Sequence, residues 1–191
     1  MRIIGGQLKG SNLISPDGIN LRPTTDRVKE SIFNILLHGI NDFNMENIEV
    51  MDIFCGTGAL GLEAISRGAR HSVFIDFDSD AIKIARQNAW SLGLDNKITM
   101  LNLDAQHLAK PPKVVKSPAS LVFLDPPYNK GLVYSTLLGL KSKGWLKQKA
   151  LCVVEVAARE IPDFPKEFYI LNERIYGLTR IFFLRYNGVK N

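Results

Sequence analysis

Past residue 48 the chain alternates unbroken apolar runs with stretches whose apolar positions recur every three or four residues. The runs Glu49–Phe54, Ser72–Phe77, Ile98–Leu103, Leu121–Asp125 and Leu151–Ala157 predict buried strands. Between them, Ala59–Arg67, Asp80–Leu92 and Leu132–Leu140 predict helices, with a weaker one over Ala105–Ala109. Such alternation builds a parallel sheet with helices on both faces. The rhythm then changes. Phe168–Ile175 and Arg180–Tyr186 flank a Tyr176-Gly177 turn that leaves no room for a helix, so a hairpin is expected with its last strand antiparallel to the rest.

Upstream, Asp26–His38 places Val28, Ile32, Ile35 and Leu36 on one face of a helix, with Thr24 or Thr25 as N-cap. Residues 1–24 read separately: Arg2-Ile3-Ile4, the pair Gly5-Gly6, the apolar stretch Leu8 to Ile14, then the turn Pro16-Asp17-Gly18. The expected division is therefore a hairpin or arm over 1–24 and one α/β domain over 25–191.

The first of these strands runs into Asp52-Ile53-Phe54-Cys55-Gly56-Thr57-Gly58-Ala59-Leu60-Gly61 and then a helix. Gly56, Gly58 and Gly61 match G-x-G-x-x-G in its required strand–turn–helix setting, where glycine lets the backbone turn tightly and approach a ligand. Twenty residues after Gly56, Asp76 ends the next strand, where a carboxylate can take two ribose hydroxyls. A dinucleotide needs its pyrophosphate at the helix N-terminus. Asp52 would repel that group and would suit the ammonium of S-adenosylmethionine. Asp104-Ala105, at the end of the third strand, stands where an adenine amino group needs an acceptor. The methyltransferase reading is preferred to a dehydrogenase.

Asp125-Pro126-Pro127-Tyr128 closes the fourth strand. The prolines stop it and remove two backbone donors. A carboxylate, carbonyls without competing N–H groups and an aromatic ring remain, which together suit a planar base bearing an amino group. The plain alternative is a strand-ending turn.

Composition narrows the class. A chain of 191 residues, 46% hydrophobic and 23% charged, suits a globular domain. No apolar stretch is long enough to span a bilayer, and the amino terminus is no signal peptide. Cys55 and Cys152 are expected as free thiols in a reducing compartment, hence a cytoplasmic protein. His38, His71 and His107 are too scattered for a zinc site, so no metal is expected. The net charge is +5, and Lys110 to Ala150 holds eight lysines against one acid, Asp125. That balance suits a polyanion such as nucleic acid, or else a solvated surface.

Together these pieces resemble the D-type bacterial small-subunit (16S) rRNA guanine-N2 methyltransferases. Arg2-Ile-Ile-Gly-Gly6, Arg22-Pro-Thr-Thr-Asp-Arg-Val28, Asp52–Ala69, Asp125–Tyr128 and the closing hairpin follow the family's order over essentially the whole chain. Cys55 departs mildly, standing where the family usually has a small residue such as alanine. The resemblance implies the seven-stranded, Rossmann-like S-adenosylmethionine-dependent sheet, and as substrate one guanine of 16S rRNA in the small subunit. The cofactor set is Asp52, Gly56, Gly58, Gly61, Asp76, Asp104 and Ala105, with S-adenosylhomocysteine as product. The catalytic set is Asp125, Pro126, Pro127 and Tyr128. RNA contacts are expected from Arg2, Lys9, Arg22, Arg27 and Lys130, and a monomer is expected.

In this reading, Asp125 and the Pro126 carbonyl accept the two amine N–H bonds and Tyr128 stacks on a base drawn out of its helix. The competing functions are an adenine-N6 methyltransferase, which would use the same corner, and an assembly factor that has lost catalysis. Glu155, in the fifth strand, is either functional or only a strand-edge charge.

Overall fold

The computed structural model describes residues 1–15 and 25–188. Its elements run α1 (Asp26–His38), β1 (Glu49–Ile53), α2 (Ala59–Ser66), β2 (His71–Asp76), α3 (Ser79–Ser91), β3 (Ile98–Asn102), β4 (Ala119–Leu124), α4 (Leu132–Ser142), β5 (Leu146–Ala157), β6 (Phe168–Tyr176) and β7 (Thr179–Tyr186). The strands form one seven-stranded sheet in the order β3-β2-β1-β4-β5-β7-β6. β1 to β5 pair in parallel, and β7 is antiparallel to both β5 and β6. The strand order reverses between β1 and β4, which places a ligand crevice beyond their carboxyl ends.

Every residue of β1 is buried because helices cover both faces. One face packs Val133, Leu137 and Leu140 of α4 against Val122, Leu124, Cys152 and Val154. The other packs α1 and α2 against Val50, Phe123 and Val153, and α2 and α3 against Phe74. Thr25 caps α1, its hydroxyl accepting the Val28 N–H. Thr24, Arg22 and the Pro16-Asp17-Gly18 turn lie outside the described residues. In α1 the fully covered positions include Lys29 and Phe33, whereas Ile35, expected in the buried stripe, is only partly buried.

Most boundaries differ from expectation by a residue or two, and three differences have a clear physical reason. β5 starts at Leu146 rather than Leu151, because Leu146 already pairs with Ala119 ahead of a bulge. The segment after Asp104 is a single 3-10 turn, Ala105–His107. β1 stops at Ile53, since Phe54 turns into the left-handed region at φ 59°.

Residues 1–15 double back on themselves and dock on the helices. Ile3 N–H donates to the Ser11 carbonyl and Leu13 N–H to that of Met1, while Ile3 and Leu13 enter the core. Gly6 sits at φ +74°, and a Cβ there would lie 1.9 Å from the Ser66 carbonyl oxygen. The close approach to α2 therefore requires glycine. Arg2 pairs with Asp26, and Lys29 Nζ donates to the Arg2 carbonyl oxygen.

Candidate active site

The carboxyl edge of the sheet gathers acids from successive strands. Asp52 lies in β1, Asp76 ends β2, Asp125 follows β4, and Glu155 lies in β5. Asp104 follows β3 by two residues.

Asp52 is buried, and its Oδ2 accepts the Gly61 N–H at 2.8 Å. That bond caps α2 from inside, since the N-cap, Gly58, has no side chain to do so. Burial, reinforced by Asp76, pushes the Asp52 carboxyl up to about 7. Gly61 faces Phe74, whose Cε1 would lie 2.5 Å from an added Cβ. The lack of a side chain lets α2 pack closely on β2, the role that the third glycine of the motif plays.

Gly56 and Gly58 make the turn itself. Both have positive φ, and the Cβ position of Gly56 opens onto empty space within 4 Å. Gly56 N–H donates to Asp76 Oδ2 at 3.0 Å, and Asp78 N–H to Asp76 Oδ1 at 3.0 Å. These bonds orient the Asp76 carboxylate beside the turn. Burial nonetheless raises its pKa above the usual carboxylate range. Directly after it, Phe77 is 68% exposed, a bare aromatic face with no support role in the core.

Asp104 is exposed and accepts the Gln106 N–H, the main cause holding its carboxyl low, with His107 second. Ala105 is buried.

Asp125 sits beside Glu155 in the sheet: Leu124 pairs with Val154, and the two acids follow. Burial, then Glu155, then Asp52 lift the Asp125 carboxyl well above its ordinary value. Pro126 is buried and Pro127 exposed. Tyr128 is half-buried, its hydroxyl donating to Glu155 Oε1 at 3.2 Å and lying 3.2 Å from Thr179 Oγ1. Burial pushes the phenol up to about 12.

The charged groups that act on Asp52 and Asp125 are other acids. A ligand carrying positive charge fits such an edge, because it would favour the ionised carboxylates; a pyrophosphate would not. An acceptor-rich corner next to a half-buried ring can hold an aromatic amine.

Much of the lysine-rich stretch around Asp125 in sequence lies away from this corner in space. Lys147 lies eight residues before Glu155 on β5, about 25 Å at the usual rise per residue. Lys116 precedes β4 and acts on His71, which opens β2. These lysines, with Lys141 and Lys143 at the end of α4, belong to the amino edge, and Lys141 is paired with Glu167. Lys130, exposed five residues after Asp125, flanks the corner. Lys9 and Arg27 are both exposed.

Sequence reasoning missed Thr179, Phe77 and Asn88. Fully buried in α3, Asn88 donates to the Thr57 and Ile14 carbonyls and so ties the glycine turn to residues 1–15. Its signal was an amide on the apolar face of a helix. Among the described residues no group of three or more His, Cys, Asp or Glu could hold a metal, and no helix is long and apolar enough to cross a membrane.

Sheet order, glycine turn and acidic carboxyl edge are those of the S-adenosylmethionine-dependent methyltransferase fold. A Salinibacter ruber RNA methyltransferase solved with S-adenosyl-L-homocysteine shares this fold (TM-score 0.65, 17% identity, 88% of this chain and 96% of that one). Within the class, the chain belongs to the family described as Conserved hypothetical protein 95, whose model matches residues 1–185. The Escherichia coli K12 ribosomal RNA small subunit methyltransferase D is 36% identical over 178 residues, 93% of this chain and 85% of that protein. Its Haemophilus influenzae namesake is 32% identical over 180 residues, 94% and 90% of the two chains. The solved Escherichia coli yhhF structure superposes with TM-score 0.81 at 30% identity over 99% of each chain.

Proposed function

We propose that this chain transfers a methyl group from S-adenosylmethionine to the exocyclic N2 of one guanine of 16S rRNA in the small ribosomal subunit, acting as a monomer. The observation that carries the reading is the Asp125 corner, set beside a glycine turn and a cation-seeking acidic edge. Its relatives' names supply the rRNA.

When bound, S-adenosylmethionine supplies a methyl group carried on a sulfonium. Gly56 and Gly58 let the backbone approach it, and Asp52 receives its ammonium. Asp76 receives the ribose hydroxyls, Phe77 offers a face to the purine, and Asp104 with the Ala105 backbone offers acceptors to the purine edge.

The guanine amine is a poor nucleophile because its lone pair is delocalised into the ring. Asp125 and the Pro126 carbonyl accept its two N–H bonds and aim the lone pair. Pro127 keeps the corner free of a competing donor, and Tyr128 stacks on the base. Orientation of this kind can supply roughly 7–11 kcal/mol of the barrier, and fixed acceptors stabilise the charge that develops on the amine. Asp125 serves best as an orienting acceptor, ionised once a cation occupies the acidic edge. Arg2, Lys9, Arg22, Arg27 and Lys130 meet rRNA phosphates.

Mass mapping of small-subunit rRNA from cells with and without the protein tests this. One N2-methylguanosine should vanish in its absence; an unchanged guanine map would refute the proposal.

A further inference from the structure

Glu155 is the one acid at the carboxyl edge that the proposed chemistry leaves without a task, and its surroundings supply one. It interrupts the apolar run Leu151-Cys152-Val153-Val154-Glu155-Val156 of β5 and is 6% exposed. On one side lies β4, whose chain places Asp125 next to it. On the other lies β7, where Glu155 pairs in register with Ile181 and Thr179 pairs with Ala157. The Tyr128 hydroxyl reaches both strands, donating to Glu155 Oε1 and meeting Thr179 Oγ1, each at 3.2 Å. Buried Glu155 and Thr179 therefore fix the far end of the ring, while the Asp-Pro-Pro backbone fixes its near end.

Anchoring a phenol needs only an acceptor, which a neutral amide supplies at far lower desolvation cost than a carboxylate. The carboxylate brings something an amide lacks, namely negative charge beside Asp125. We propose that Glu155 is a positioning residue of the methyl-transfer site: with Thr179 it anchors the Tyr128 hydroxyl, and its charge tunes Asp125 as the acceptor of the target amine. This rests on the function proposed above.

The titratable groups facing Asp125 are Glu155 from β5, Asp52 from β1 and Tyr128 from its own loop; β7 contributes the neutral Thr179. Glu155 is the larger of the two carboxylate influences on Asp125. A like charge disfavours ionisation of its neighbour, so its removal makes Asp125 a stronger acid and a weaker acceptor.

The test is Glu155→Gln, which keeps an acceptor for Tyr128 and removes the charge. Titration of carboxyl-labelled aspartate by NMR, without any substrate, should show Asp125 ionising roughly one pH unit lower or more. The acid limb of single-turnover methyl transfer should shift the same way, with the plateau rate lowered several-fold. Thr179→Val should slow transfer without moving the limb, because it loosens the ring and leaves the charge. An unmoved Asp125 titration in Glu155→Gln would overturn the proposal, whatever the methyl acceptor proves to be. If the titration moves but wild-type protein transfers no methyl to guanine, the proposed function fails and the coupling stands. Should Glu155→Gln not fold, the wild-type curves decide: coupled groups titrate in two shared steps. Independent single-step curves for Asp125 and Glu155 would contradict the coupling.

Discussion

Replacing Asp52 by asparagine should stabilise the ligand-free protein at alkaline pH and leave acid pH nearly untouched. The Asp52 carboxyl moves from 3.8 to about 7 on folding, chiefly through burial. Between those values the folded state holds a proton that the unfolded state has released. Stability therefore falls as pH rises through this window, and the loss is complete above about 7. Each pKa unit corresponds to about 1.4 kcal/mol, so the two units from pH 5 to 7 amount to about 3 kcal/mol. The asparagine side chain does not titrate, keeps an acceptor for the Gly61 N–H, and can direct its amide donors at neighbouring carboxylates. Any pH-independent cost of the substitution cancels when two pH values are compared. The assay is thermal unfolding of both proteins at pH 5 and pH 8. At about 2–4 °C per kcal/mol for a chain of this size, the variant's advantage should grow by roughly 6–12 °C between the two. Parallel pH profiles would refute the assignment of a costly buried charge at Asp52. The same variant should bind S-adenosylmethionine more weakly, so that the cost in stability is tied to the ligand's positive charge.

Three further outcomes are expected. Asp76→Ala should weaken S-adenosylmethionine binding by about 1.5–3 kcal/mol in calorimetry, the range for a charge-assisted hydrogen bond; unchanged affinity would remove Asp76 from the site. Tyr128→Phe keeps the stacking ring but loses both anchors of the hydroxyl, so it should bind RNA nearly as wild type yet slow transfer at least as much as Thr179→Val, whereas Tyr128→Ala should lose roughly 1–3 kcal/mol of base stacking, read as weaker RNA binding in competition assays. RNA affinity should fall steeply with salt, and charge-removing substitutions at Lys9, Arg27 and Lys130 together should flatten that slope while leaving the choice of nucleotide intact; a slope unaltered by all three would exclude them from the interface.

The parallel sheet was readable in the sequence because strands buried on both faces need apolar side chains at nearly every position, as in Val50-Met51-Asp52-Ile53 and Val122-Phe123-Leu124. The glycine turn and the Asp-Pro-Pro-Tyr corner were readable because unusual backbone demands leave unusual residues. What escaped depended on strand direction and register. Lys147, Gln148 and Lys149 hid the start of β5, since a bulged strand end open to solvent needs no apolar residues. The eight lysines are neighbours in sequence, yet a parallel strand carries the chain from one edge of the sheet to the other, separating most of them from Asp125. The partnership of Tyr128 with Glu155 and Thr179 joins residues 27 and 51 positions apart, which only the order β4-β5-β7 brings together. Lys29 is buried in α1 because its amine meets Asp26 and the Arg2 carbonyl, partners that no pattern within the helix marks.

The most direct test of the account is single-turnover transfer of labelled methyl from S-adenosylmethionine to small subunits from cells lacking the enzyme, followed by nucleoside analysis. Wild-type protein should yield N2-methylguanosine, and Asp125→Ala should yield none while binding S-adenosylmethionine within a few-fold of wild type. Near-normal transfer by Asp125→Ala, or N6-methyladenosine as the product, would contradict it.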